Sequence, residues 1–305
     1  YSESEIEARM QRMLRGWAES VEQELSQFEE SGRAAAIASR YADVFPVSYR
    51  VTYGPEEAAL DIGRMRHMLQ TDSKASDPAQ LQRDARLYRL ETDAANCLRL
   101  KIYEHEGSLP LSDAVPALEN FGFEVLSEIP TSLDGGKLGT IHDFKLELPA
   151  GVETGPILDR AEIIEQAVTA VLNETAEDDP FNRLVVGTAL AAREANWLRA
   201  YYRYLRQAGM GFTIYTVVDA LRRAPDVTRA LVARFAAAHD PEFAGDREAA
   251  IAASENAIKQ GLSKVAAIND DRLLRLYHAL IKSILRTEPA KACAVGRNLC
   301  VFSAC

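Results

Sequence analysis

Along this chain the spacing of apolar residues changes from a period near 3.6 to a period of 2 and back again, which narrows the folds open to it. Ile6, Met10, Leu14, Trp17, Val21, Leu25 and Phe28 recur at helical spacing over residues 5–28, and Ser31-Gly32 are expected to break that helix. Shorter helices are predicted over 34–41, ended by Phe45-Pro46, and over 56–69, after Tyr53-Gly54-Pro55. Alternation then takes over at 86–91, 97–104, 123–129 and 141–148, most clearly where Leu98, Leu100 and Ile102 oppose Arg99, Lys101 and Tyr103. A helix over 114–120 separates the second and third strands; with Asp113 as its cap, Pro116 falls at the third helical position, where no intrahelical N–H is needed. From Ile157 to Arg286 the pattern is helical throughout, with segments at 157–172, 182–190, 194–208, 214–223, 226–239, 246–259 and 270–285. The expected fold class is therefore α+β: one small antiparallel sheet covered on one face by helices, then a mostly α-helical domain. The run strand, helix, strand, strand is the core of a ferredoxin-like βαββαβ unit. The boundaries read as a helical linker over 1–53, a sheet domain over 54–150, a helical domain over 151–287 and a cysteine-rich tail over 288–305.

Charge excludes some functions. Asp and Glu number 45 against 35 Lys and Arg, a formal net charge of -10, so no general attraction draws this chain to nucleic acid or to anionic lipid. No apolar run approaches the ~20 residues of a membrane-spanning helix. Of the four cysteines only Cys97 lies in the body of the chain; Cys293, Cys300 and Cys305 crowd into KACAVGRNLCVFSAC at 291–305. One body cysteine suits a reducing cytoplasm, and the tail spacing fits no structural zinc pattern. The tail reads as a segment foreign to the rest, and the start at Tyr1 as the middle of a longer chain.

No catalytic or metal constellation is visible. There is no dinucleotide fingerprint and no P-loop, and Gly135-Gly136 lies between two strands, where a hairpin turn is expected. His67, His105, His142, His239 and His278 are scattered; His142 and Asp143 are strand neighbours that point to opposite faces and cannot form a dyad. Trp197, Tyr201 and Tyr204 share one face of a helix, read as core, with Arg193, Arg199, Arg203 and Arg206 on the solvated side. The best ligand candidate is the strand-to-helix loop 106–111, where Gly107 allows close backbone approach and the following helix start offers N–H groups to a carboxylate. Its alternative is an ordinary turn.

Four stretches carry a resemblance. RLETDAANCLRLKIYEHEGSLPLSDAVPALENFGFEVLSEIP at 89–130, closed by IHDFKLELP at 141–149, is similar to the last ACT-type domain of the large bacterial NAD-specific glutamate dehydrogenases. RYADVFPVSYRVTYGPEEAALDI (40–62), NRLVVGTALAAREANWLRAYYRYLRQAGMGFTIYTVVDAL (182–221) and DDRLLRLYHALIKSILRT (270–287) resemble the same family in the same order, so the resemblance covers about 5–287. It implies an ACT-like sheet domain followed by helices. It also implies a parent reaction in which L-glutamate, NAD+ and water give 2-oxoglutarate, ammonia and NADH. In the family the glutamate pocket and the NAD site lie C-terminal to this segment, so no catalytic or cofactor-binding residue is carried over and the segment alone is expected to be inactive. What the resemblance does carry is an amino-acid effector site or subunit contact at Gly107, Ser108, Leu109, Leu111 and Asp113, and self-association as a homo-oligomer. The alternative is a stand-alone amino-acid-sensing or oligomerising module.

Overall fold

The computed structural model describes residues 16–72, 83–105, 108–149, 152–287 and 302–304, without the side chains of 69–72, 285–287 and 302–304. The N-terminal helices are α1 (Trp17–Leu25), α2 (Ser31–Tyr41), α3 (Val47–Thr52) and α4 (Pro55–Asp72). Ser31-Gly32, expected as a break, instead open α2: Glu30 is extended at φ -61, ψ 144, and its carbonyl accepts the N–H groups of Arg33 and Ala34. Pro55 opens α4, where a missing N–H costs nothing.

The sheet strands are β1 (Arg83–Tyr88), β2 (Cys97–Glu104), β3 (Glu124–Ser132) and β4 (Thr140–Glu147), with α5 (Leu111–Asn120) between β2 and β3. They form one antiparallel sheet in the order β1-β2-β4-β3. The α+β reading holds, but the chain order differs from a βαββαβ unit. A helix and an edge strand, α4 and β1, precede the βαββ core instead of following it. β1 ends at Tyr88 rather than running to Glu91, because the Asp93 carboxylate accepts the N–H of Leu90 and turns the chain.

Two expectations fail on the sheet. The sheet is expected to be covered on one face, yet Lys101 and Tyr103 are as fully buried as Leu98, Leu100 and Ile102 opposite them, so both faces of β2 are covered. Helix α5 starts at Leu111, which puts Asp113 inside its first turn and Pro116 in its interior, not at the third position. Pro110, extended at φ -63 and ψ 138, sets that start, and Asp113 caps nothing. Between β3 and β4 the expected turn is present, with Asp134 and Gly135 both at positive φ.

The helical region contains α6 (Gly155–Leu158), α7 (Ala161–Leu172), α8 (Arg183–Gly187), α9 (Ala192–Gln207), α10 (Ile214–Arg223), α11 (Pro225–His239), α12 (Arg247–Leu262) and α13 (Ile268–Ser283). Thr213 and Asp246 cap α10 and α12 through side-chain oxygens that accept the N–H groups of Thr216 and Ala249. β5 (Ile284–Thr287) pairs antiparallel with β6 (Phe302–Ala304); the rest of the cysteine-rich tail lies outside the described residues. On α9 Trp197 and Tyr201 are core, Trp197 edge-on to Phe235 at 4.7 Å and Tyr201 against Phe235 and Tyr277, whereas Tyr204, expected with them, is only half-buried. Arg199 departs from expectation. It is buried, and its guanidinium grips the Asp179 carboxylate at 2.7 and 2.9 Å and Asn182 at 2.8 Å.

The chain resolves into two compact units. One comprises the residues up to Arg86 together with 99–109 and 126–145; the other comprises 87–98, 110–125 and the residues from Leu146 on.

Candidate functional site

The loop singled out as an effector site is placed residue by residue. Gly107 lies outside the described residues. Ser108 is exposed, and its carbonyl accepts a hydrogen bond from Arg83 Nη2 at 3.2 Å. Leu109 is buried, whereas Leu111 is half-exposed and Asp113 is exposed, its carboxylate within reach of the Ser112 hydroxyl. Ser108 and Leu109 fall in the first unit, and Leu111 and Asp113 in the second.

The denser chemistry lies elsewhere, inside the first unit. Tyr49, Tyr53, Glu57 and Asp61 recur every fourth residue from the end of α3 into α4. Within α4 that spacing puts Glu57 and Asp61 on one face; together with Tyr49 of α3 and Tyr53, extended just after it, they meet odd-numbered residues of β2 and β4. Lys101 Nζ donates to Asp61 Oδ2 at 2.5 Å and to Glu57 Oε1 at 2.6 Å, and lies 4.4 Å from the centre of the Tyr53 ring. Asp61 also accepts the hydroxyls of Tyr49 at 2.5 Å and Tyr103 at 2.7 Å. Arg86, on β1, donates to Glu57 and to the Tyr103 hydroxyl. Beside this group Tyr53 donates to Asp143, and Arg99 lies 3.5 Å from the same carboxylate.

Two cations, Arg86 and Lys101, thus face two carboxylates, Glu57 and Asp61, and two phenols, Tyr49 and Tyr103, add hydrogen bonds to Asp61. Burial and the Asp61 charge push the Tyr49 hydroxyl well above the usual phenol range, and the same causes raise Tyr103, so both stay protonated donors. Burial raises the Asp61 carboxyl against the opposing pull of Lys101 and Arg86. The side chains of Lys101 and Asp61 have no exposure at all, so no substrate reaches them. What this arrangement does is fasten α3 and α4 to the sheet in a single register, since shifting either helix by one residue would strand buried charge.

Asp143 faces this cluster, while its neighbour His142 hydrogen-bonds Glu128 on the other face, as the alternation of a strand requires. Among the described residues no group of three His, Cys, Asp or Glu side chains could hold a metal ion. None of the described helices is long and apolar enough to cross a membrane. The visible sign of the cluster is the four-residue spacing of Tyr49, Tyr53, Glu57 and Asp61; its sheet partners are distant in sequence, 29 residues for Arg86 and Glu57 and 40 for Lys101 and Asp61.

Three family models match the chain: "Glutamate dehydrogenase, helical motif 2" over residues 25–67, "Glutamate dehydrogenase, ACT3 domain" over 82–160, and "Glutamate dehydrogenase, helical motif 3" over 176–241. The chain belongs to the large NAD-specific glutamate dehydrogenase family. Curated relatives named NAD-specific glutamate dehydrogenase agree along nearly its whole length. That of Halomonas elongata is 34% identical across 97% of this chain, that of Pseudomonas aeruginosa 31% across 98%, and that of Mycobacterium tuberculosis 28% across 93%. The chain spans about 18% of the length of the first two and 17% of the third.

The glutamate dehydrogenase modules give the buried cluster a meaning. Tyr49, Tyr53, Glu57 and Asp61 belong to helical motif 2, whereas Arg86, Arg99, Lys101, Tyr103 and Asp143 belong to the ACT3 domain. The ion pairs and phenol hydrogen bonds are therefore the joint between two modules of the family.

Proposed function

We propose that this chain is the regulatory and helical part of an NAD-dependent glutamate dehydrogenase. In the whole enzyme L-glutamate, NAD+ and water would be converted to 2-oxoglutarate, ammonia and NADH, with NAD and glutamate bound outside these residues, in the cytoplasm. The observation that carries the reading is the order of three glutamate dehydrogenase models along one chain, supported by relatives that align with almost all of it. The loop Gly107, Ser108, Leu109, Leu111 and Asp113 is assigned as its amino-acid effector site or subunit contact, and the assembled enzyme as a homo-oligomer.

The test is direct. The purified 305-residue chain, given glutamate and NAD+, is expected to produce no NADH, while the same residues within a full-length enzyme accompany turnover. Glutamate-dependent NADH formation by the isolated chain would overturn the reading. For the effector loop, calorimetric titration with a panel of amino acids should show saturable binding that Asp113→Ala weakens; equal heats from both proteins would remove the assignment.

A further inference from the structure

Helix α5 joins the proposed effector loop to helical motif 3. Its first turn carries Leu111 and Asp113, the part of that loop that lies on the helix. At its last turn Asn120 Nδ2 donates to Asp178 Oδ1 at 2.9 Å, and the Glu119 carbonyl accepts from Arg183 Nε at 3.4 Å. Between the ends Ala114, Ala117 and Leu118 are buried, where α5 packs against α7 and the turn Pro180–Asn182. The 10 residues of this helix span about 15 Å. Pro116, inside it, has no N–H to give the Ser112 carbonyl, so one bond between the first turn and the rest of the helix is missing.

The segment 177–182 that α5 holds is also fastened to α9. Arg199 is buried there, and donates from Nε to Asp179 Oδ2 at 2.7 Å and from Nη2 to Asp179 Oδ1 at 2.9 Å and Asn182 Oδ1 at 2.8 Å. One turn further along α9, Arg203 Nη1 donates to Glu177 Oε1 at 2.8 Å. Asn182 Nδ2 draws the segment together by donating to the Glu177 carbonyl at 3.0 Å. The two attachments differ in strength. Arg199 and Asp179 make paired, charge-assisted bonds around a buried guanidinium. The bonds at Asn120 and Glu119 are single and exposed to water. When α5 shifts, the contacts that give way are those at Asn120 and Glu119, and the segment stays on α9.

We propose that α5 is a latch through which the effector loop controls helical motif 3. An amino acid held at Leu111 and Asp113 draws the first turn of α5 and opens the Asn120–Asp178 contact. This rests on the reading of the loop as an effector site. Coupling between two sites is reciprocal. Opening the latch by substitution therefore raises the affinity of the loop for the amino acid.

The full 305-residue chain is titrated with each common amino acid in turn by calorimetry, and hydrogen exchange is followed over residues 177–183. An amino acid whose binding Asp113→Ala weakens is expected to speed exchange at 177–183. Asn120→Ala should exchange fast there without ligand, respond no further to it, and bind several-fold more tightly. Because the bond it removes is exposed, its thermal midpoint should stay close to that of the unsubstituted chain. Asp178→Asn keeps an acceptor and should respond like the unsubstituted chain. Binding without a change in exchange at 177–183, or equal affinity in Asn120→Ala and the unsubstituted chain, overturns the latch and leaves the effector site standing. No binding by any amino acid overturns both.

Discussion

Lys101 Nζ lies 2.5 Å from Asp61 Oδ2, and neither side chain is exposed to solvent. The pair joins β2 to α4 in the middle of a cluster that is neutral only as a whole. Lys101→Met leaves Asp61 and Glu57 sharing the one cation Arg86, and Asp61→Asn leaves Glu57 as the carboxylate partner of Lys101. Each single change is expected to cost about 3–5 kcal/mol, the range for breaking one side of a buried pair. The double variant should cost clearly less than the sum, because each partner's penalty is the charge left behind. Strict additivity in urea unfolding would show that the two residues act independently.

Gly139, at φ +106 ahead of β4, sits so close to β2 that an added Cβ would lie 2.2 Å from the Glu104 carbonyl oxygen. That obstacle is backbone, which cannot rotate away. The left-handed conformation alone costs a non-glycine residue about 1–3 kcal/mol, and the overlap adds to it. Gly139→Ala should therefore lower the unfolding midpoint far more than an alanine at Gly135, where no atom lies within 4 Å of the added Cβ. Equal midpoints for the two variants would contradict the close approach.

Helices α11 and α12 meet at another glycine. A Cβ on Gly261 would lie 2.4 Å from Val227 Cγ2, a side chain that is itself buried. Gly261→Ala is expected to destabilise by about 1–3 kcal/mol through overpacking. Val227→Ala, introduced together with it, should recover part of that loss, whereas by itself Val227→Ala leaves a void. Thermal unfolding of the three variants separates these outcomes.

Acid should act on the helical region through two groups with the same sign. Burial would raise the Glu255 carboxyl, but the hydrogen bond from Arg234 and the nearby His278 outweigh it and hold the carboxyl below its ordinary 4.5. Its contribution is present above that value and is lost as pH falls through the lower folded one. Burial, reinforced by Arg234 and Arg247, holds His239 below its ordinary 6.5. Between 6.5 and the lower folded value the unfolded chain binds more protons, so stability falls as pH falls. His239→Gln should flatten the dependence below pH 6.5, and Glu255→Gln the part below pH 4.5. Unfolding free energies measured from neutral to acid pH check both; slopes unchanged by the substitutions would remove these assignments.

Particular residues show how far the fold could be read in advance. The two-residue period placed His142 and Asp143 on opposite faces, and the helical period placed Trp197 and Tyr201 together in the core; both follow from backbone geometry alone. The same period assigned Lys101 and Tyr103 to one face of β2 but could not say that α4 covers it. Arg199 reads as a solvated residue for the same reason: its carboxylate, Asp179, lies 20 residues earlier, in the loop ahead of α8. The start of α5 was misplaced because Asp113 looks like a cap, whereas the extended Pro110 sets the first turn.

Local sequence thus determined the α+β class, the position of the strands and which side chains share a face, because these depend on periodicities of a few residues. It also carried enough of the family's pattern to name the family. Tertiary structure alone decided that β1 pairs on the free edge of β2 and that Glu57 and Asp61 neutralise Arg86 and Lys101. Those outcomes depend on which distant residues meet once water is excluded. A charge reads as a surface residue until the partner that makes its burial tolerable is brought to it by the fold.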